Sequence, residues 1–74
     1  METVSIRDEF IKLGQALKLS GLADEGSDAK MAIQDGEVSV NGQQETRRGR
    51  KLYDGDVFSY RGKEVRVESS LSKS

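Results

Sequence analysis

At Gly36 the hydrophobic pattern of this chain changes period, and that change narrows the folds open to it. Upstream, Phe10, Leu13 and Leu17 stand at i, i+3 and i+7, and Ala29, Ala32 and Ile33 form a second stripe of mostly small residues. Both spacings are helical. Downstream, Val38 and Val40 alternate with Glu37 and Ser39, and Asn41-Gly42 then supplies the strongest short hairpin signal. A chain that is helical first and stranded afterwards segregates its helices to one side of a sheet.

The punctuation sets the remaining elements. The first helix begins either after Asp8 or near Lys12, with the later start preferred, and stops at Ser20-Gly21. Asp24 is the predicted N-cap of the second helix, Glu25 and Asp28 suit the positive end of its dipole, and Gly36 ends it. After the hairpin, residues 43–46 form a polar return strand. Asp54-Gly55 and Arg61-Gly62 are turns that bound strands at 57–60 and 63–67, and residues 1–6 alternate weakly enough to suggest a short edge strand. The predicted fold is α+β, two short helices packed on a small, mainly antiparallel sheet of short strands. One domain is expected over residues 1–68, with a Ser-rich, disordered tail over 69–74.

Length and composition set the function classes. With 74 residues the chain has room for one small domain, which buries only about 60% of the surface its unfolded chain exposes. There is no Cys and no His, which removes disulfides, thiol nucleophiles and the usual zinc sites. General acid–base chemistry wants a tuned group in a pocket, and this chain offers neither His nor a large enough core, so an enzyme is not expected. No long apolar run or secretory signal is visible, and the cytoplasm is the expected compartment. The net charge of −1 hides an asymmetry. Residues 1–42 carry four Lys/Arg against eight Asp/Glu, and residues 43–74 carry eight against five. An acidic half followed by a basic half is the pattern of a chain with one polyanion-facing side.

Taken together, Leu13-Gly14, Leu17, Gly21-Leu22-Ala23, Ala29-Lys30, Ile33, Gly36, Val38, Val40-Asn41-Gly42, Leu52 and Gly55-Asp56-Val57 resemble the RNA-binding domain named after ribosomal small-subunit protein four, the alpha-L fold. The core of the resemblance covers residues 13–57. Leu13-Gly14-Gln15 and residues 45–52 look most like the small stand-alone bacterial YaaA/YbcJ-like group within that family. The resemblance implies a non-catalytic protein that recognises structured RNA, ribosomal RNA or an assembling ribosomal subunit first and tRNA second. It implies no cofactor, no membrane, no small-molecule substrate and a monomer.

This chain departs from the family where the second helix often opens with Ser-Arg-Ser: here the middle position is Gly26. Glu37 and Ser39 also stand where basic residues are common. The expected contact surface therefore shifts to Arg47, Arg48, Arg50 and Lys51, with Lys30 left on the helical side and Arg61 and Lys63 in support. Each has a plainer alternative. The run at 47–51 is also what a solvated loop carries, Lys30 can pair with a neighbouring acid, and Arg61 and Lys63 fit ordinary turn charges. Tyr53, Phe58 and Tyr60 offer rings for stacking or for the core, with the core favoured for Phe58. Asp54 and Asp56 read as turn residues. A second functional reading uses the acidic half, including Asp24, Glu25, Asp28 and Asp35, to meet a basic protein such as a ribosomal protein.

Overall fold

The computed structural model describes residues 1–71. Strands β1 (Glu2–Ile6) and β2 (Phe10–Lys12) precede helices α1 (Leu13–Leu19) and α2 (Gly26–Gln34). Strands β3 (Val38–Val40), β4 (Gln43–Gln44), β5 (Lys51–Tyr53), β6 (Val57–Tyr60) and β7 (Lys63–Ser69) follow. Five strands form one sheet in the order β1-β7-β6-β3-β4, antiparallel except for the parallel β1–β7 pair, while β2 and β5 form a separate antiparallel ribbon. The α+β class, the helix pair and the mainly antiparallel sheet are as the change of period predicts, with β1 at the sheet edge.

The core follows from register. Val40, Phe58 and Val65 occupy one cross-strand row, and Val4 lies opposite Val67. These side chains are buried together with Leu13, Ala16 and Leu17 of α1 and Ala29, Ala32 and Ile33 of α2. Fully burying one large apolar side chain contributes about 1.5–3 kcal/mol, so this single layer between sheet and helices carries most of the stability.

Both helices end as the glycines predict. Gly21 and Gly36 have φ of +80° and +78°, which only glycine adopts without a Cβ penalty. Gly21 and Leu22 donate back to the Lys18 and Leu17 carbonyls, and Gly36 and Glu37 donate to those of Ile33 and Ala32. Each is a Schellman closure.

The helix starts are different. The later start of α1, after Lys12, is correct, but Asp24 does not cap α2: Glu25 holds the N-cap position and makes no side-chain cap hydrogen bond. Phe10, whose spacing suggests the first position of a helical stripe, instead pairs with Tyr53 across the β2–β5 ribbon. Pairing with a distant strand overrides the local spacing there.

The chain end also corrects the expected boundary at residue 68. Ser69 closes β7 and is wholly buried. Its hydroxyl donates to the Asp8 carbonyl at 2.6 Å and its N–H to Asp54 Oδ1 at 2.8 Å. Ser70 donates its N–H to the Ile6 carbonyl. Residues 72–74 of the expected tail lie outside the described residues. Asp56 accepts the Tyr53 N–H at 2.7 Å and the Asn41 amide at 3.1 Å. Asp54 and Asp56 are therefore the turn residues that the sequence suggests.

Candidate nucleic-acid interface

The β2–β5 ribbon has two unlike faces because alternate residues of a strand point opposite ways. Ile11 and Leu52 are paired and buried. Phe10 lies opposite Tyr53 and Lys12 opposite Lys51, so these four share the outward face. The two rings have centroids 5.9 Å apart with planes at 49°, and Lys51 Nζ stands 4.7 Å above the Phe10 ring. Tyr53 keeps 43% of its surface exposed. Like charges directly opposite on a ribbon destabilise it.

The loop from β4 to β5 is organised by an acid just ahead of the basic run. Glu45 is only 7% exposed. Its carboxylate accepts the Thr46 and Arg47 N–H groups at 3.1 Å, Arg47 Nε at 3.2 Å and Arg50 Nη1 at 2.9 Å. The hydrogen bonds from Arg47, then those from Arg50, hold its pKa at about 2, against the upward push of desolvation. The same hydrogen bond raises the Arg47 pKa. Two of the four cations in the run are thus tied to one carboxylate, although the Arg47 side chain remains 76% exposed against 34% for Arg50.

The other two cations of the run, Arg48 and Lys51, make no ion pair among the described residues. Arg48 is laid against the start of α1. The Leu13 and Gly14 N–H groups donate to the Arg50 and Arg48 carbonyls at 2.8 and 3.2 Å, so the loop backbone closes the helix end. A Cβ on Gly14 would stand 2.7 Å from Arg48 Cγ, which makes glycine a condition of this packing. The result is a cleft between α1 and the loop, lined by Lys12, Gly14, Gln15, Lys18, Gly26, Arg48 and Gly49.

Sequence reasoning missed Lys12 and Lys18. The available signal was the exposed face of α1, where Gln15 and Lys18 stand one turn apart just after Lys12. An adjoining hollow, lined by Arg47, Gly49, Arg50 and Lys51, meets the cleft at Gly49.

The remaining predicted contact residues lie elsewhere. Lys30 is exposed on α2 and lines neither the cleft nor that hollow. Arg61 is 3.9 Å from Glu37, and its guanidinium carbon sits 5.1 Å from the centre of the Tyr60 ring. It lines an acidic groove with Leu22, Asp24, Asp28, Met31 and Asp35, while Lys63 flanks Tyr60 and Arg61 on the neighbouring surface. No group of three or more acidic residues among the described residues is placed to hold a metal ion.

Known proteins are similar to this chain in sequence and in fold. The chain is 48% identical over 59 residues to the probable ribosome maturation protein RlbA of Bacillus subtilis, covering 80% of this chain and 83% of that protein. It is 38% identical over 68 residues to YbcJ of Escherichia coli, covering 90% and 97% of the two. The solution structure of YbcJ, with an alpha-L motif involved in RNA binding, superposes with a TM-score of 0.71 over 92% of this chain and 87% of that one. The ribosomal protein S4e of Thermoplasma acidophilum, 23% identical, shares the fold with a TM-score of 0.63 over 81% of this chain and 32% of its own. Residues 4–68, from β1 through most of β7, match the S4 domain, and the chain belongs to that family.

Proposed function

We propose that this protein binds structured RNA as a non-catalytic module, with ribosomal RNA or an assembling ribosomal subunit as its target. The observation that carries the reading is the convergence of Lys12, Lys18 and Arg48 on one cleft, with Lys51 beside it on the ribbon. Structured RNA is recognised largely through phosphates, 2′-hydroxyls and shape, so a fixed set of cations on a rigid edge suits it. Counterion release then supplies most of the affinity. The relatives support the reading: YbcJ carries a motif involved in RNA binding, and RlbA is named for ribosome maturation.

The test is binding to ribosomal subunits and to extracted ribosomal RNA across a salt series. Replacing Lys12, Arg48 and Lys51 together with Ala lowers affinity and makes the fall of log K with log salt shallower by up to about two to three, roughly one for each phosphate that is no longer neutralised. An unchanged slope removes this cleft from RNA recognition.

A second reading is favoured by the acidic groove, where Met31 is 62% exposed beside Tyr60, Leu22 and three aspartates. Carboxylates around apolar surface suit Lys or Arg side chains, whose stems pack while their heads pair. This groove meets a basic protein such as a ribosomal protein. Protein partners captured through it persist after nuclease treatment, and their loss under nuclease rejects the reading.

A further inference from the structure

The outward face of the β2–β5 ribbon holds two rings among cations, which phosphate binding alone does not require. Tyr53 is 43% exposed, and Phe10 stands behind it at 5.9 Å, tilted by 49°. Lys51 holds the Phe10 ring from above at 4.7 Å, which leaves Tyr53 as the more open of the two platforms. Both ring positions are fixed by backbone pairing, and the Tyr53 N–H is further pinned by Asp56 at 2.7 Å. The ring therefore sits on a braced strand and not on a free loop.

We infer that Tyr53 is a stacking platform for an unpaired base, with Phe10 as its buttress and Lys12 and Lys51 on the flanking phosphates. The preferred ligand is then an RNA helix interrupted by a bulge or ending in a loop, not an uninterrupted duplex. This rests on the RNA-binding reading and narrows it. In a continuous A-form helix the base faces are covered by their neighbours, and a protein meets only edges, sugars and phosphates. An exposed aromatic face gains nothing from such a duplex. An unstacked base offers its own face to the ring and gains affinity in a manner tolerant of sequence. The surrounding cations select an aromatic ligand that carries negative charge, which a nucleotide satisfies.

The experiment compares two RNA hairpins of equal stem sequence, one with a single bulged 2-aminopurine and one without the bulge, binding to the full chain. The bulged RNA binds about tenfold tighter, and its 2-aminopurine fluorescence is quenched on binding. Tyr53→Leu keeps apolar bulk without a π face; it removes both the preference and the quenching. Tyr53→Phe retains them. Lys12→Ala lowers affinity for both hairpins alike.

Equal affinity of the native chain for the two hairpins overturns the inference while leaving the RNA reading in place. So does a Tyr53→Leu loss shared equally by both. Binding to neither hairpin at low salt overturns the RNA reading itself.

Discussion

Two cation–aromatic pairs in this molecule look alike and sit in opposite electrostatic settings. On the ribbon, Lys51 stands 4.7 Å over Phe10 with another lysine, Lys12, directly across the strand pair. On the groove, Arg61 stands 5.1 Å over Tyr60, but with Glu37 at 3.9 Å and Asp24, Asp28 and Asp35 lining the same surface. The first cation makes no ion pair with a carboxylate among the described residues. The second is already offset. A basic residue serves a polyanion according to what surrounds it, and these two regions differ in that respect far more than in their local sequence.

The largest expected effect comes from reversing charge on the basic side of the comparison, at Lys12 of the ribbon and Arg48 of the adjoining loop. Lys12→Glu with Arg48→Glu lowers affinity for ribosomal RNA by a hundredfold or more, roughly, at low salt, because each site loses one attraction and gains one repulsion. Both residues are exposed, so thermal melting stays within a few degrees. Arg61→Glu on the groove side leaves the same affinity within about twofold. Equal losses from the two regions would break the distinction between them.

Glu45→Ala gives a smaller and more diagnostic result. Counting charges predicts tighter RNA binding, since the chain gains one positive unit. The structure predicts about fivefold weaker binding, because Glu45 orders the loop that lays Arg48 against Gly14, and lost preorganisation lowers affinity. Tighter binding in a filter or fluorescence assay would overturn this role for Glu45.

The same carboxylate has a pH signature. Its folded pKa of about 2 lies below the ordinary 4.5, so its stabilising contribution is complete above about 4.5 and is lost as pH falls through 2. A carbon-detected NMR titration of the Glu45 carboxyl follows it; a midpoint near 4.5 would show that the arginine hydrogen bonds do not persist in solution. The smallest effect belongs to the groove. Asp28→Asn with Asp35→Asn raises RNA affinity by less than about twofold at low salt, and this gain disappears near 0.15 M as screening removes it. A gain that survives higher salt would mean the groove touches the RNA.

Much of the fold is legible in the sequence because its signals are local. Gly21 and Gly36 stop helices through their own backbone freedom, and Asn41-Gly42 closes its hairpin with φ of +51° and +83°. Val38, Val40, Val65 and Val67 are buried where period two places them. Phe10 misleads because three residues of a strand do not outweigh a helical spacing unless the partner strand is known. Ser69 reads as tail because a serine gives no local sign of being buried, and its bonds to Asp8 and Asp54 join residues far apart in the chain.

The site divides in the same way. By itself the sequence determined the α+β class, the helix stops, the hairpin, the family and the existence of a basic run, all carried by spacing and turn chemistry over a few residues. Only the tertiary structure decided which cations lie together. Glu45 ties Arg47 and Arg50, β2–β5 pairing sets Lys12 against Lys51, and the loop brings Arg48 to the cleft of Lys18. Coupling between exposed charges depends on their distance in space and is largely screened beyond about 8 Å at physiological salt, whereas a sequence records distance only along the chain.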